Sequence, residues 1–243
     1  MEYSTEITWT DLAGLLDGQV HVYACDIATL DIKDLLPLLT KEELTRAKSF
    51  RQQADADRFS TGRVITKKLL AYYGVMDPSA IIIKPGDNGK PIAYSDTPAV
   101  LPFFNISHSG NKVLIAVSND PVGIDIEQVK NVELKVLAET VFSSEELHLF
   151  NTADNSINMF YQLWTRKEAL LKSVGVGLLD DLRTIDISQK VDADFVKAFT
   201  YQQLALFSFA VNDEYGQYFA SICYPQNNSL RFIELTNELL SQL

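Results

Sequence analysis

Val122-Gly123-Ile124-Asp125-Ile126-Glu127 reads as a short acidic strand, and the reading of the whole chain turns on it. Side chains on a strand alternate between its two faces. Val122, Ile124 and Ile126 therefore point into a core. Gly123, Asp125 and Glu127 point the other way, so two carboxylates stand side by side. Like charges that close repel, and each raises the other's pKa unless a cation lies between them. A hard divalent cation takes one or two carboxylates and completes its shell with water and phosphate oxygens.

A second stretch, Trp164-Thr165-Arg166-Lys167-Glu168-Ala169-Leu170-Leu171-Lys172, supplies a third carboxylate. The spacing predicts a helix over 156–174. Ile157, Tyr161 and Trp164 fall at i, i+4 and i+7 and form an inward stripe. Glu168 and Lys172 continue it at steps of four. An acid on an apolar stripe needs a partner, because burying an unpaired charge is costly. The plainer alternative is an i,i+4 surface ion pair between them. The acidic strand upstream argues against that.

The chain has 243 residues, enough for one large domain or two small ones, and its 47% hydrophobic content supplies a core. No run approaches the 18 or so apolar residues of a membrane span. Met1-Glu2-Tyr3-Ser4-Thr5-Glu6 has neither the basic nor the apolar part of a secretory signal, which predicts a cytoplasmic protein. Cys25 and Cys223 each lie in an apolar, strand-like run and read as reduced core residues. The net charge of −11 argues against generic binding to nucleic acid or anionic membranes. Residues 41–90 depart from the average, with ten Lys and Arg against six acids. A phosphate-rich small molecule or an acidic partner suits that segment; solvated helix faces are the plainer reading.

Along the chain, residues 19–27 read as a strand. Thr40-Lys41-Glu42-Glu43 reads as a capping box opening a helix. A longer helix over 54–73 is ended by Gly74. Ile81-Ile82-Ile83 is a short buried strand, followed by the turn-rich Pro85-Gly86-Asp87-Asn88-Gly89-Lys90-Pro91. Residues 103–107 and 113–117 read as paired strands. Beyond Asp120-Pro121 come a helix over 134–141, a second capping box at Ser143-Ser144-Glu145-Glu146, and the long helix. Strands are predicted at 184–187, 204–211, 217–224 and 230–235. The pattern is not strictly alternating, so the fold class is α+β with antiparallel pairs. It divides into an N-terminal lobe, 1–118, and a C-terminal lobe, 119–243, with a ligand cleft between them.

Phe104-Asn105-Ile106-Ser107-His108-Ser109 adds several polar side chains at a strand end, which suits a phosphate. Gly89-Lys90-Pro91, this segment, Gly123-Ile124-Asp125-Ile126-Glu127 and Trp164-x-x-Lys167-Glu168-x-x-x-Lys172 occur in one order. That order resembles the Sfp-type 4′-phosphopantetheinyl transferases over about Arg46 to Gly177. The resemblance implies a pseudo-dimer of two similar α/β lobes with coenzyme A in the cleft. It also implies transfer of the phosphopantetheine arm to a serine of an apo acyl, peptidyl or aryl carrier protein, by a cytoplasmic monomer.

By position, Asp125, Glu127 and Glu168 then look like ligands of Mg2+, with Mn2+ as a substitute. Glu168, or a metal-bound water it orients, looks like the base, and Lys172 like the acid or electrostatic partner of the departing phosphate, with Asp125 completing the catalytic set. Asn105, Ser107 and His108 look like contacts to coenzyme A, and the Gly89-Lys90-Pro91 loop like a cover over its adenine. Arg46 matches a basic position that grips the 3′-phosphate. That assignment meets two departures: Leu44, Thr45, Ala47 and Ser49 dilute the basic segment, and Phe59 stands where the family has a polar residue. Arg63 or Lys48 would compensate. Two other readings use the same residues: a Mg2+-dependent hydrolase of coenzyme A-like pyrophosphates, and a sensor that binds coenzyme A without catalysis.

Overall fold

A computed structural model describes residues 10–11, 14, 17–177, 181–188 and 203–243. The segment 1–6, read above for a signal, lies outside the described residues. The order of elements is β1 (Gln19–Asp26), α1 (Lys41–Lys48), α2 (Gln53–Gly74), β2 (Ile81–Pro85), β3 (Pro91–Ser95), β4 (Phe103–Ser109) and β5 (Lys112–Ser118). Then follow β6 (Gly123–Gln128), α3 (Lys135–Val141), α4 (Ser144–Thr152), α5 (Ser156–Val174), β7 (Leu204–Asp213), β8 (Gly216–Pro225), β9 (Ser229–Glu234) and α6 (Asn237–Leu240). The class is α+β, as expected.

One sheet has the order β4-β5-β1-β9, another β6-β8-β7, and β2 and β3 form a hairpin of their own. The strand period explains the layering. On β1, Val20 and Val22 join Leu114, Ala116, Val122, Ile124, Ile126, Phe209, Ala220 and Ile222 in a core between the two main sheets. The alternate residues Tyr23 and Cys25 face a second core with Val64, Ile65, Leu69 and Leu70 of α2. A third core sets Phe160, Leu163, Ala169 and Leu170 of α5 against Phe219 and Cys223 of β8. The layers thus run helix, sheet, sheet, helix. Cys25 and Cys223 sit in different cores, both free and buried.

The two halves carry the same internal device. Thr40 and Glu43 cap α1 reciprocally, and Ser143 and Glu146 cap α4 in the same way. In each, the capping glutamate also takes a buried ammonium from the long helix that follows. Lys67 donates to Glu43 Oε2 at 2.8 Å and to the carbonyl of Leu38 at 2.7 Å. Lys167 donates to Glu146 Oε2 at 2.6 Å and to the carbonyl of Val141 at 2.9 Å. Both carbonyls lie two residues before the cap. This repeated lock makes the lobes alike although no sequence repeat is visible.

Four details differ from the sequence reading. The left-handed position ending α2 is Val75, at φ 52°, and Gly74 remains helical. A Cβ at Gly74 would lie 2.9 Å from Met76 Cε, the free end of a side chain that can swing aside. Residues 91–95 form β3, which pairs antiparallel with β2; Pro91 opens the strand, where it does not break the ladder. The stretch expected as a strand at 184–187 holds a 3-10 turn, Leu182–Thr184, capped by Asp181. Finally β9 pairs parallel with β1, so the end of the chain returns to the first sheet across the division drawn at 118/119.

His21 shares a strand face with Tyr23 and points toward α2. It is fully buried and hydrogen-bonds Tyr73 Oη through Nδ1 at 2.6 Å. Burial, aided by the nearby Arg231 charge, lowers its pKa from 6.5 to about 4. Below the unfolded value the unfolded chain takes up a proton that the folded chain refuses. The stability is therefore complete above about pH 6.5 and declines as pH falls toward 4, by up to about 3 kcal/mol. Urea midpoints for wild type and His21→Gln should diverge over that range, with the variant flatter. Equal slopes would contradict this assignment.

Candidate active site

Gly123 sets the distance between β6 and α5. A Cβ there would lie 2.1 Å from the carbonyl oxygen of Ala169 and 2.3 Å from the amide nitrogen of Ser173. Only glycine lets the helix approach so closely. The approach brings Glu168 and Lys172 over the face of β6 that carries Asp125 and Glu127. All four line one cavity of about 430 Å³, with Ile106, Ser107, His108 and Trp164.

The helical stripe runs from core to cleft: Tyr161 belongs to the buried core, and from Trp164 onward the stripe lines the cavity. α5 is buried around most of its circumference, and Trp164, Glu168 and Lys172 are among its less buried residues. They are open because they face the cavity. The side chains that fill the core lie at the intervening positions, such as Leu163, Ala169, Leu170 and Leu171. Lys167, beside Glu168 in sequence, points away into the buried lock.

β4 lies along β6 and meets it through side chains. Asn105, Ser107 and Ser109 share one face at steps of two. Asn105 Oδ1 accepts from the amide of Ile124 at 2.8 Å, Ser107 Oγ from Ile126 at 3.3 Å, and Ser109 Oγ from Gln128 at 3.0 Å. The two hydroxyls then donate onward, Ser107 to Asp125 Oδ1 and Ser109 to Glu127 Oε2, each at 2.8 Å. Each acid of the strand is thus aimed by one serine of β4. Ser109 went unassigned in the sequence, and its signal was the period-two spacing from Ser107.

Lys172 Nζ lies 2.5 Å from Asp125 Oδ1 and 3.3 Å from Ser107 Oγ. Asp125 is 3% exposed, and its Oδ2 is buried without a hydrogen-bond partner. Burial raises the pKa of Glu168, and Asp125 and Glu127 raise it further against the pull of Lys172. Burial also raises Glu127, with Asp125 adding to it and the Ser109 hydrogen bond opposing. Among the described residues, no three His, Cys, Asp or Glu side chains form a ready metal cage. Mg2+ does not ask for one, since it keeps waters and takes phosphate oxygens beside one or two carboxylates. The unpartnered Oδ2 and two carboxyl groups held above their usual range fit such a cation.

Two further cavities continue the first. One of about 300 Å³ shares Ile106, Glu168 and Lys172 with it and is bounded by Asn88, Gly89, Lys90, Pro91 and Asn105. Another of about 140 Å³ shares Ile106 and His108 and adds Arg58, Phe59, Gly62 and Arg63. Arg58 is tied to Asp55 and to the carbonyl of Gly110. Arg63 stacks over Phe59, and its buried Nη1 has no hydrogen-bond partner. Arg46 is exposed, lies over the ring of Phe50, and lines none of these three cavities. The structure therefore brings together Asp125, Glu127, Glu168, Lys172, Ser107 and His108, joins Gly89, Lys90, Pro91 and Asn105 to them, and leaves Arg46 apart.

Comparison with known proteins points to one family. A family model described as the 4′-phosphopantetheinyl transferase superfamily matches residues 121–223. One described as 4′-phosphopantetheinyl transferase, N-terminal, matches residues 28–120. The chain is 34% identical to 4′-phosphopantetheinyl transferase psf-1 of Bacillus pumilus over 168 residues, 65% of this chain and 70% of that one. It is 32% identical to 4′-phosphopantetheinyl transferase HetI of Nostoc sp. over 170 residues, 68% and 72% of the two chains. It is 33% identical to 4′-phosphopantetheinyl transferase Sfp of Bacillus subtilis over 145 residues, 59% and 63%. The chain belongs to the 4′-phosphopantetheinyl transferase family.

Proposed function

We propose that the chain transfers the 4′-phosphopantetheine arm of coenzyme A to a serine of an apo carrier protein, releasing adenosine 3′,5′-bisphosphate. Family membership supports this reading. The observation that carries it is the convergence of Asp125, Glu127, Glu168 and Lys172 on one cavity that continues toward the Gly89–Pro91 loop.

In the reaction the serine oxygen forms a bond to the pyrophosphate phosphorus that bears the pantetheine arm. The bond from that phosphorus to the leaving phosphate oxygen breaks. Glu168, directly or through a water that it orients, takes the serine proton, and its raised pKa suits a base working near neutral pH. Lys172, already between Asp125 and Ser107, donates toward the departing phosphate. A bound Mg2+, or Mn2+, would neutralise charge on the pyrophosphate, and Asp125, Glu127 and Glu168 would hold it. Holding the donor's pyrophosphate in line with the incoming serine would add a positioning contribution. Coenzyme A incubated with and without an apo carrier tests the reading. Nucleotide released only with carrier supports transfer; release without carrier indicates the hydrolase; binding with no release indicates the sensor.

The 3′-phosphate contact stays with Arg46 by resemblance. Arg46→Ala is expected to weaken coenzyme A by about 1.5–3 kcal/mol, the usual worth of a hydrogen bond to a charged group. It should hardly change binding of dephospho-coenzyme A, and KM should rise more than kcat falls. Equal losses on both donors would move the role to Arg63, which lines the neighbouring cavity, or to Lys48.

For the carrier, we take the helical region over 132–150 as the docking surface, and exposure narrows it. Val132, Val136 and Leu137 are 51%, 72% and 44% exposed, whereas Leu134 and Phe150 are buried. Lys112, also considered for the rim, is held by Asp26 at 2.7 Å and Asp213 at 2.6 Å. An acidic carrier meeting a chain of net charge −11 must dock on apolar contacts. Association should therefore depend weakly on salt. A steep fall in affinity between low and moderate salt would contradict this docking mode. Among the described residues no helix is long and apolar enough to cross a membrane. We place the protein in the cytoplasm as a monomer without nucleic-acid partners.

A further inference from the structure

The Gly89-Lys90-Pro91 loop was expected to face the donor, yet its ammonium turns toward the catalytic helix. The loop closes on itself through the amide of Gly86, which donates to the carbonyl of Lys90 at 2.8 Å. The Lys90 side chain leaves the hairpin. Its Nζ donates to the carbonyl of Lys172 at 2.5 Å, of Val122 at 3.3 Å and of Ser173 at 3.5 Å. Asn88 reaches the same helix end, donating from Nδ2 to the carbonyl of Gly175 at 3.1 Å.

These acceptors are of a particular kind. The carbonyls of Lys172 and Ser173 are among the last four of α5, which no further turn of helix satisfies. They also carry the negative end of the helix dipole, where a cation is favoured. Val122 immediately precedes β6. One ammonium therefore joins the β2–β3 loop, the end of α5 and the start of β6. The backbone of Lys172 is held at its carbonyl by Lys90, while its side chain holds Asp125 at 2.5 Å. Glu168 lies one turn earlier on the same helix and shares a cavity with Lys90.

We propose that Lys90 is a positioning residue, whose ammonium caps the catalytic helix and keeps Lys172 and Glu168 in register with Asp125. The loop offered to the nucleotide end of the donor and the helix that carries the chemistry then move as one unit. This rests on reading the chain as a phosphopantetheinyl transferase. Burial lowers the pKa of this amine to about 8, so the ammonium cap is complete only below that pH.

The test compares wild type, Lys90→Met and Lys90→Arg by calorimetric binding of coenzyme A and by single-turnover transfer to an apo carrier. Lys90→Met keeps the apolar stem and removes the donor. It should slow transfer by about 10- to 100-fold, the usual cost of losing a supporting contact behind a reacting group, with coenzyme A affinity nearly unchanged. Lys90→Arg should recover part of the rate. Weakened coenzyme A binding at an unchanged rate would overturn the proposal, as would no change in either. Should Lys90→Met fail to fold, acetylation of wild-type lysines decides, read by peptide mass. Lys90 should react much more slowly than the exposed Lys84, with or without coenzyme A. Ready reaction of Lys90 that only coenzyme A suppresses would overturn it. Absence of transfer by wild type with every carrier would sink the functional reading instead, and the acetylation pattern would still report on the cap.

Discussion

Replacing Asp125 by alanine is expected to lower the transfer rate by at least about a thousandfold while the fold survives. The size of the effect follows from how many groups meet at this carboxylate. Its Oδ1 takes Ser107 and Lys172, and its Oδ2 is left buried and unpartnered. Removing it would take away the proposed metal ligand and free the Lys172 ammonium from its nearest anchor. Glu168→Ala should lose as much, since it removes both a proposed ligand and the proposed base. Glu127→Ala should lose less, because one or two carboxylates with water suffice for Mg2+. Initial rates at saturating Mg2+, with melting curves as the control, check all three. Full activity of Glu168→Ala at saturating Mg2+ would sink the assignment.

The largest effect on stability is expected at the buried lock of the second half. Lys167 and Glu146 are both 0% exposed, and Lys167 also satisfies the carbonyls of Val141, Leu182 and Ile185. Glu146 caps α4 and accepts from the amide of Ile187 at 2.9 Å. Lys167→Met leaves a buried carboxylate without its counter-ion and three carbonyls without a donor. The expected cost is about 3–5 kcal/mol, the usual result of breaking a buried pair from one side. Urea denaturation should show it, and adding Glu146→Gln should recover part of the loss, because the uncompensated charge is then gone. A loss under about 1 kcal/mol for the single variant would show that the lock does not govern this half.

The site was largely legible in the sequence because its parts obey short-range rules. The two faces of β6 follow from period two, and Gly123, Asp125 and Glu127 share the face toward α5 as that rule requires. The two capping boxes were legible for the same reason. What joins them was not. That Glu43 and Glu146 each receive a buried lysine from the next long helix depends on packing between elements, and nothing local marks Lys67 or Lys167 for it. That the inward stripe of α5 passes from core at Tyr161 to cleft at Glu168 and Lys172 was not legible, since a cleft wall and a core wall have the same period. β3 was hidden by Pro91, which normally argues against a strand but is tolerated at its first residue. β9 could not be placed, since its partner β1 lies some 200 residues earlier and no local pattern encodes that pairing. Arg46 is carried by resemblance alone, since it lies over Phe50 and outside the cavities that Arg58 and Arg63 line.

The central claim is that the convergence of Asp125, Glu127, Glu168 and Lys172 moves a phosphopantetheine arm onto another protein. Intact mass of apo carrier proteins, after incubation with the chain, coenzyme A and Mg2+, tests it most directly. A panel of acyl, peptidyl and aryl carriers should include at least one that gains the mass of the arm, and none in which the acceptor serine is replaced by alanine. Coenzyme A cleaved while every carrier keeps its apo mass would contradict the account.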